Sequence, residues 1–157
     1  MITKFLNWYI VKMKNVLFVC FGNICRSPAC EGIANYLYKD KANFDSAGTS
    51  NWNIGSFPDP RSVFVCQNHG IDIKNHKARQ IASSDWMKYD LIVALDKEVL
   101  YTLDNYQPSN SKAKLVLFDE QKGGVVDPWE GDQSDFNNMY DQIEKAMPEF
   151  LKAHNIV

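Results

Sequence analysis

Val16-Leu17-Phe18-Val19 is an uninterrupted apolar run rich in β-forming residues, and it breaks off at Cys20-Phe21-Gly22-Asn23. Such a run bounded by turn residues predicts a strand buried on both faces and feeding a turn. Leu91–Leu95 and Lys114–Phe118 repeat the pattern, and Phe44–Gly48 reads as a shorter strand running into a loop. Between them the periodicity changes. Ser27-Pro28 marks a helix start, with serine as cap and proline at the first helical position, and Ile33, Ala34 and Leu37 continue on one face. Ser62–Asn68, ending at Gly70, and Lys97–Leu103 are two further helical stretches. Phe136, Met139, Tyr140, Ile143, Met147, Phe150 and Leu151 recur at three-to-four spacing, a core-facing stripe, with Pro148 expected to kink that helix or mark its last turns.

Buried strands alternating with helices predict an α/β fold. We expect a single domain with an open four-stranded parallel sheet, helices on both faces and a ligand-binding loop after strand 1. In such sheets ligands sit beyond the carboxyl ends of the strands, where strand order reverses, so the loop after the first strand is the first candidate site. The domain is expected over residues 13–157. Residues 1–12 read as an N-terminal extension: Phe5 to Val11 is short, is interrupted by Asn7, and has no small-residue cleavage site after it.

Composition narrows the function. The chain has 157 residues, 45% hydrophobic and 23% charged, with 17 basic against 19 acidic side chains. A net charge of −2 gives no basic field for nucleic acid, and no apolar run reaches the ~18–20 residues of a membrane span. We therefore expect neither a nucleic-acid nor a membrane partner. Cys20, Cys25, Cys30 and Cys66 form no Cys-x-x-Cys pair, and with His69, His76 and His154 they make no zinc spacing. That usage fits a reducing, cytoplasmic setting with no metal and no cofactor.

Three of the four cysteines fall in or beside the first loop. In Cys20-Phe21-Gly22-Asn23-Ile24-Cys25-Arg26-Ser27 a cysteine stands six residues before an arginine, directly after a buried strand. Gly22 and Asn23 tolerate positive φ, which lets the N–H groups of Phe21 to Arg26 turn inward as an anion nest at the start of a helix. Arg26 adds a planar fork matching two phosphate oxygens. A cysteine among those dipoles is favoured in its charged form and becomes a nucleophile aimed at phosphorus, with Ser27 placed to hold the thiolate or ease its departure. Asp96, at the end of the third strand, points to the site edge or else caps the next helix.

Val19-Cys20-Phe21-Gly22-Asn23-Ile24-Cys25-Arg26-Ser27-Pro28 resembles the signature loop of the low-molecular-weight protein tyrosine phosphatases. Asp45 to Ser50 with Trp52 and Gly55, His69-Gly70-Ile71 through His76, Ala78-Arg79-Gln80, and Asp127-Pro128 resemble family segments in family order, from about Asn15 to the C-terminus. The resemblance implies hydrolysis of phosphotyrosine, and of aryl phosphates, through a phosphocysteine intermediate, with phosphate and other oxyanions as inhibitors. It makes Cys20 the nucleophile, Arg26 the phosphate clamp, Ser27 an aid to thiolate formation and release, and Asp127 the general acid. It places Asn23 in a left-handed turn held by Ser46 and His76. It makes Trp52 and Trp129 aromatic walls for the substrate ring, and Cys25 a reversible disulfide partner of Cys20. Where the family often has two tyrosines after Asp-Pro, this chain has Trp129-Glu130. Cys30 and Cys66 are expected in the core.

Three other readings compete. An arsenate reductase of the same architecture needs further cysteines downstream of the third strand, and Leu95–Val126 contains none. Relatives that hydrolyse phosphoarginine carry a smaller polar residue where Ile24 stands. A non-catalytic phosphate-binding module does not call for Cys20, Arg26 and Asp127 together.

Overall fold

The computed structural model describes residues 12–157. The expected extension therefore lies outside the described residues, apart from Lys12. Four parallel strands, β1 (Lys14–Cys20), β2 (Ala42–Gly48), β3 (Leu91–Ala94) and β4 (Lys114–Leu117), form one sheet in the order β2-β1-β3-β4. Among the described residues five α-helices accompany them: α1 (Arg26–Tyr38), α2 (Pro60–Asn68), α3 (Asp85–Lys88), α4 (Lys97–Tyr106) and α5 (Gln133–Ala153).

The alternation of side chains along a strand divides the core in two. Val16, Phe18 and Cys20 of β1, with Leu91 and Val93 of β3, face α1, α2 and α5. Leu17 and Val19, with Ile92 and Ala94, face the opposite layer of Trp86, Tyr89, Val99 and Leu103. Because both faces are covered, β1 is apolar at every position from Val16 to Val19, which is why it reads as a continuous run rather than an alternation.

The chain leaves β1 towards β2, then returns across the sheet to β3. The connections after β1 and β3 therefore diverge, and the crevice between them is the switch point where a ligand fits. The loop Cys20–Cys25 lies on one side of it and Leu95-Asp96 on the other.

The seven-residue stripe on α5 is buried as expected, and Pro148 lies in the final turns of a helix that runs on to Ala153. Its N-terminus carries a capping box between Asp132 and Asp135. Three expectations need correction. Ser27 does not cap α1; the helix begins at Arg26 after Cys25, because the Ser27 hydroxyl is engaged by the loop, and Pro28 stands third rather than first. Leu37 is exposed, while Ile33 and Ala34 are buried, since the end of α1 runs past the edge of the core. The helix expected from Ser62 starts at Pro60, because the Asp59 carboxylate accepts from the Arg61 N–H and supplies the cap. The short α3 and a 3-10 turn at Glu120–Lys122 carried no periodic signal.

Candidate active site

The loop after β1 is held from outside by its carbonyls. Those of Cys20 and Phe21 accept from the N–H groups of Thr49 and Ser50 at 3.0 and 2.9 Å. The Ile24 carbonyl accepts from Asp59 N at 2.8 Å, and that of Cys25 from the Ser62 hydroxyl at 2.9 Å. Gly48, at the end of β2, lets the loop settle this low: a Cβ there would stand 2.8 Å from the Phe21 carbonyl. Only Asn23 in the loop takes positive φ, 57°. Gly22, expected to share that conformation, does not; a Cβ there would stand 2.7 Å from Asn53 Nδ2, so the Asn53 side chain would have to turn aside.

Asn23 is fully buried and uses its whole side chain. Its Nδ2 donates to Ser27 Oγ at 2.8 Å and Ser46 Oγ at 3.0 Å, while its Oδ1 accepts from Arg79 N at 3.0 Å. His76 Nε2 lies 3.1 Å from the same Oδ1; since the amide nitrogen is already donating, the imidazole carries its proton on Nε2. Ser46 in turn donates to Glu31 Oε1 at 3.2 Å, and Glu31 Oε2 faces His76 Nδ1 at 3.7 Å. Burial pushes the Glu31 carboxyl up to about 7 and pushes His76 down. The expected supports Ser46 and His76 thus meet at Asn23, and Glu31 joins them without having been singled out in the sequence.

Cys20 Sγ lies 3.0 Å from Ser27 Oγ and accepts from the Asn23 N–H at 3.2 Å. Arg26 is buried, and its Nη1 donates to Asp96 Oδ2 at 2.6 Å and to the Val125 carbonyl at 2.9 Å. Its Nε is the one buried side-chain polar atom without a partner among the described residues. A buried guanidinium N–H left without a partner is costly, which is the reason to consider a bound oxyanion at this position. Asp127 Oδ2 stands 3.6 Å from Arg26 Nη2, its side chain about half exposed at the mouth. Asp96 plays both expected parts, pairing with Arg26 through Oδ2 and capping α4 through Oδ1, which accepts from Val99 N at 2.8 Å.

Cys20, Arg26 and Asp127 line one cavity of about 260 Å³ with Phe21, Gly22, Ile24, Cys25, Trp52, Asn53 and Trp129. Phe21 and Trp52 meet edge to face at 5.4 Å between ring centroids, and Trp52 and Trp129 stand exposed at the rim. The expected nucleophile, clamp, acid and walls are therefore all in one place. All four cysteines are free thiols; Cys30 and Cys66 are in the core, and Cys25, in the loop itself, is buried with its pKa raised by that burial. The Val125 carbonyl had no signal in the sequence, because a backbone contact leaves none. Asn53 lay inside a loop in which Trp52 and Gly55 had drawn the attention.

The family model described as low molecular weight phosphotyrosine protein phosphatase matches residues 15–155. The Saccharomyces cerevisiae protein of that name is 40% identical over 152 residues, covering 88% of this chain and 93% of its own. Among solved structures, the protein tyrosine phosphatase of Entamoeba histolytica superposes with a TM-score of 0.84 at 30% identity, covering 90% and 97% of the two chains. A Drosophila arginine phosphatase superposes with a TM-score of 0.82 at 31% identity, covering 90% and 98%. The chain belongs to the low molecular weight phosphotyrosine protein phosphatase family.

Proposed function

We propose that this protein hydrolyses phosphotyrosine in proteins or peptides, and simple aryl phosphates, through a phosphate ester of Cys20. The observation that carries this reading is the meeting of Cys20 Sγ with Ser27 Oγ and the Asn23 N–H, beside an Arg26 Nε that has no protein partner.

The phosphate oxygens take the loop N–H groups from Phe21 to Arg26 and the free edge of the guanidinium. The thiolate of Cys20, held by the Ser27 hydroxyl, attacks phosphorus as the bond to the phenolic oxygen breaks. Asp127, protonated, gives its proton to that oxygen; a positioned general acid contributes about 10²–10⁴-fold. In the second half the Asp127 carboxylate takes a proton from water, the water oxygen attacks phosphorus, and the S–P bond breaks to restore the thiolate. Arg26 stabilises the charge that spreads over the equatorial oxygens in both steps.

Phe21, Trp52 and Trp129 favour a flat ring long enough to reach a recessed loop. Ile24 lines the same cavity with a branched apolar side chain, which suits an aryl group better than a phosphoguanidinium. Oxidation at Cys20 is relieved by a disulfide to Cys25. Four free thiols fit a reducing, cytoplasmic compartment, and no helix among the described residues is long and apolar enough to cross a membrane. The test is Cys20→Ser: turnover of an aryl phosphate disappears while binding of inorganic phosphate persists. A variant that still turns over overturns the reading.

A further inference from the structure

The thiol and the acid that the proposed reaction needs are carried by different segments, and something must fix the distance between them. The acid segment leaves the fold at Val125, whose N–H donates to the Leu95 carbonyl at 2.7 Å and whose carbonyl accepts from Arg26. Val126, Asp127, Trp129 and Glu130 are then exposed, with Pro128 buried between them and Asp127 Oδ2 3.6 Å from Arg26 Nη2, before Asp132 starts α5. Between residues 126 and 131 the bonds Trp129 N to Asp127 Oδ1 and Gly131 N to the Pro128 carbonyl stay within the segment. Among the described residues, hydrogen bonds from the rest of the protein reach it only through Arg61, which donates from Nη1 to the Gly131 carbonyl at 2.7 Å and from Nη2 to the Trp129 carbonyl at 3.0 Å.

The other edge of the same guanidinium grips Asp59, Nε to Oδ1 at 3.0 Å and Nη2 to Oδ2 at 2.8 Å. Asp59 donates its own N–H to the Ile24 carbonyl of the phosphate loop. The first turn of α2 thus touches the nucleophile's loop on one side and the acid's segment on the other. The Arg61 plane lies over the Phe136 ring with Cζ 4.3 Å from its centroid, and the Arg61 carbonyl accepts from Gln133 Nε2 at 3.1 Å. A planar fork with donors on two edges can hold a carboxylate and two carbonyls at once. A lysine, with one compact charged head, cannot reproduce that span.

We propose that Arg61 is a positioning residue for the general-acid step: bridged by Asp59 to the phosphate loop, it holds the Asp127 segment at working distance from Cys20. The inference rests on the phosphatase reading and on Asp127 as the acid. Arg61 does not touch the reacting atoms, so its loss degrades proton delivery rather than attack by sulfur. A misplacement of about 1 Å is enough to cost on the order of 10²-fold in such a step.

The experiment measures kcat/KM for aryl phosphates of graded leaving-group pKa in the wild type and in Arg61→Ala, Arg61→Lys, Asp59→Asn and Asp127→Asn. Phenyl phosphate should lose about 10- to 100-fold in both Arg61 variants, while dinitrophenyl phosphate, which departs without a proton, should change by no more than about threefold. Asp59→Asn, which keeps an oxygen for the cap, should show the same signature more weakly. Amide hydrogen exchange over residues 126–131 should quicken in Arg61→Lys while that of β1 is unchanged. Adding Arg61→Ala to Asp127→Asn should produce no further leaving-group effect. Should Arg61→Ala fail to fold, Arg61→Lys and Asp59→Asn carry the comparison. Equal slowing of good and poor leaving groups, or no slowing, overturns the role of Arg61. If Asp127→Asn itself shows no leaving-group dependence, it is the underlying phosphatase reading that fails.

Discussion

Arg26 Nη1 and Asp96 Oδ2 meet at 2.6 Å across the point where the sheet changes direction. One residue follows the loop after β1 and the other follows β3, so the pair locks the two sides of the crevice together. In the proposed mechanism it also sets which edge of the guanidinium faces the phosphate. With Nη1 turned to Asp96 and the Val125 carbonyl, Nε is left for an incoming oxyanion.

Asp96→Ala frees that edge to rotate and leaves the buried cation, among the described residues, with the Val125 carbonyl as its hydrogen-bond acceptor and Asp127 at 3.6 Å. Truncating one partner of a buried hydrogen-bonded charge pair costs several kcal/mol in typical cases. We expect inhibition by inorganic phosphate to weaken by about tenfold or more. Asp96→Asn, which keeps an oxygen for the α4 cap, should weaken it less. Unchanged inhibition constants in both variants contradict the pairing's role.

Asn23 tests the loop itself. Asn23→Gly keeps the left-handed backbone but removes the bonds to Ser27, Ser46, His76 and Arg79, and should lower unfolding free energy by roughly 1–3 kcal/mol. Asn23→Ala adds the cost of positive φ for a residue with a Cβ, about 1–2 kcal/mol more. Denaturant titrations of the two variants give the ordering, wild type above Gly above Ala; Ala equal to or above Gly is incompatible with the observed φ.

Glu31 sets a pH dependence. Its carboxyl is pushed by burial up to about 7, above its ordinary value, so the folded state holds a proton that the unfolded chain has released. That contribution is fully present below the unfolded pKa and is lost as pH rises through about 7. Glu31→Gln stays neutral at every pH and escapes that loss, so the variant should gain stability relative to the wild type as pH rises from 5 to 8, by roughly 1–3 kcal/mol. Relative loss over that range shows instead that Glu31 is ionised against a protonated His76.

Much of this was legible in the sequence because it is local. The apolar run of β1, the thiol six residues before Arg26, and the α5 stripe each depend on neighbours along the chain. The helix start was misread at Ser27 because a serine before a proline looks like a cap, while its hydroxyl serves a thiol seven residues back. Glu31 and Arg61 were passed over for a different reason. An acid on a helix and a base near a turn look like solvated surface until the fold sets them beside His76 or the Trp129 carbonyl. The aromatic walls needed the resemblance, since loop tryptophans carry no periodicity.

The proposed redox pairing of Cys20 with Cys25, which lines the same cavity and has its thiol raised in pKa by burial, is tested by oxidation. Peroxide should inactivate the protein, and a thiol reductant should restore it, with one Cys20–Cys25 disulfide in a peptide mass map. Cys25→Ser should stay inactive after the same treatment. Full recovery of that variant removes Cys25 from the protective role.

The most direct measurement is a rapid acid quench of the protein with saturating dinitrophenyl phosphate, followed by mass mapping of the phosphorylated peptide. Phenol should appear in a burst of one equivalent per protein, with phosphate on the Cys20 peptide and none in Cys20→Ser. Linear phenol release with no phosphorylated protein, or phosphate on any other residue, contradicts a thiol nucleophile at Cys20.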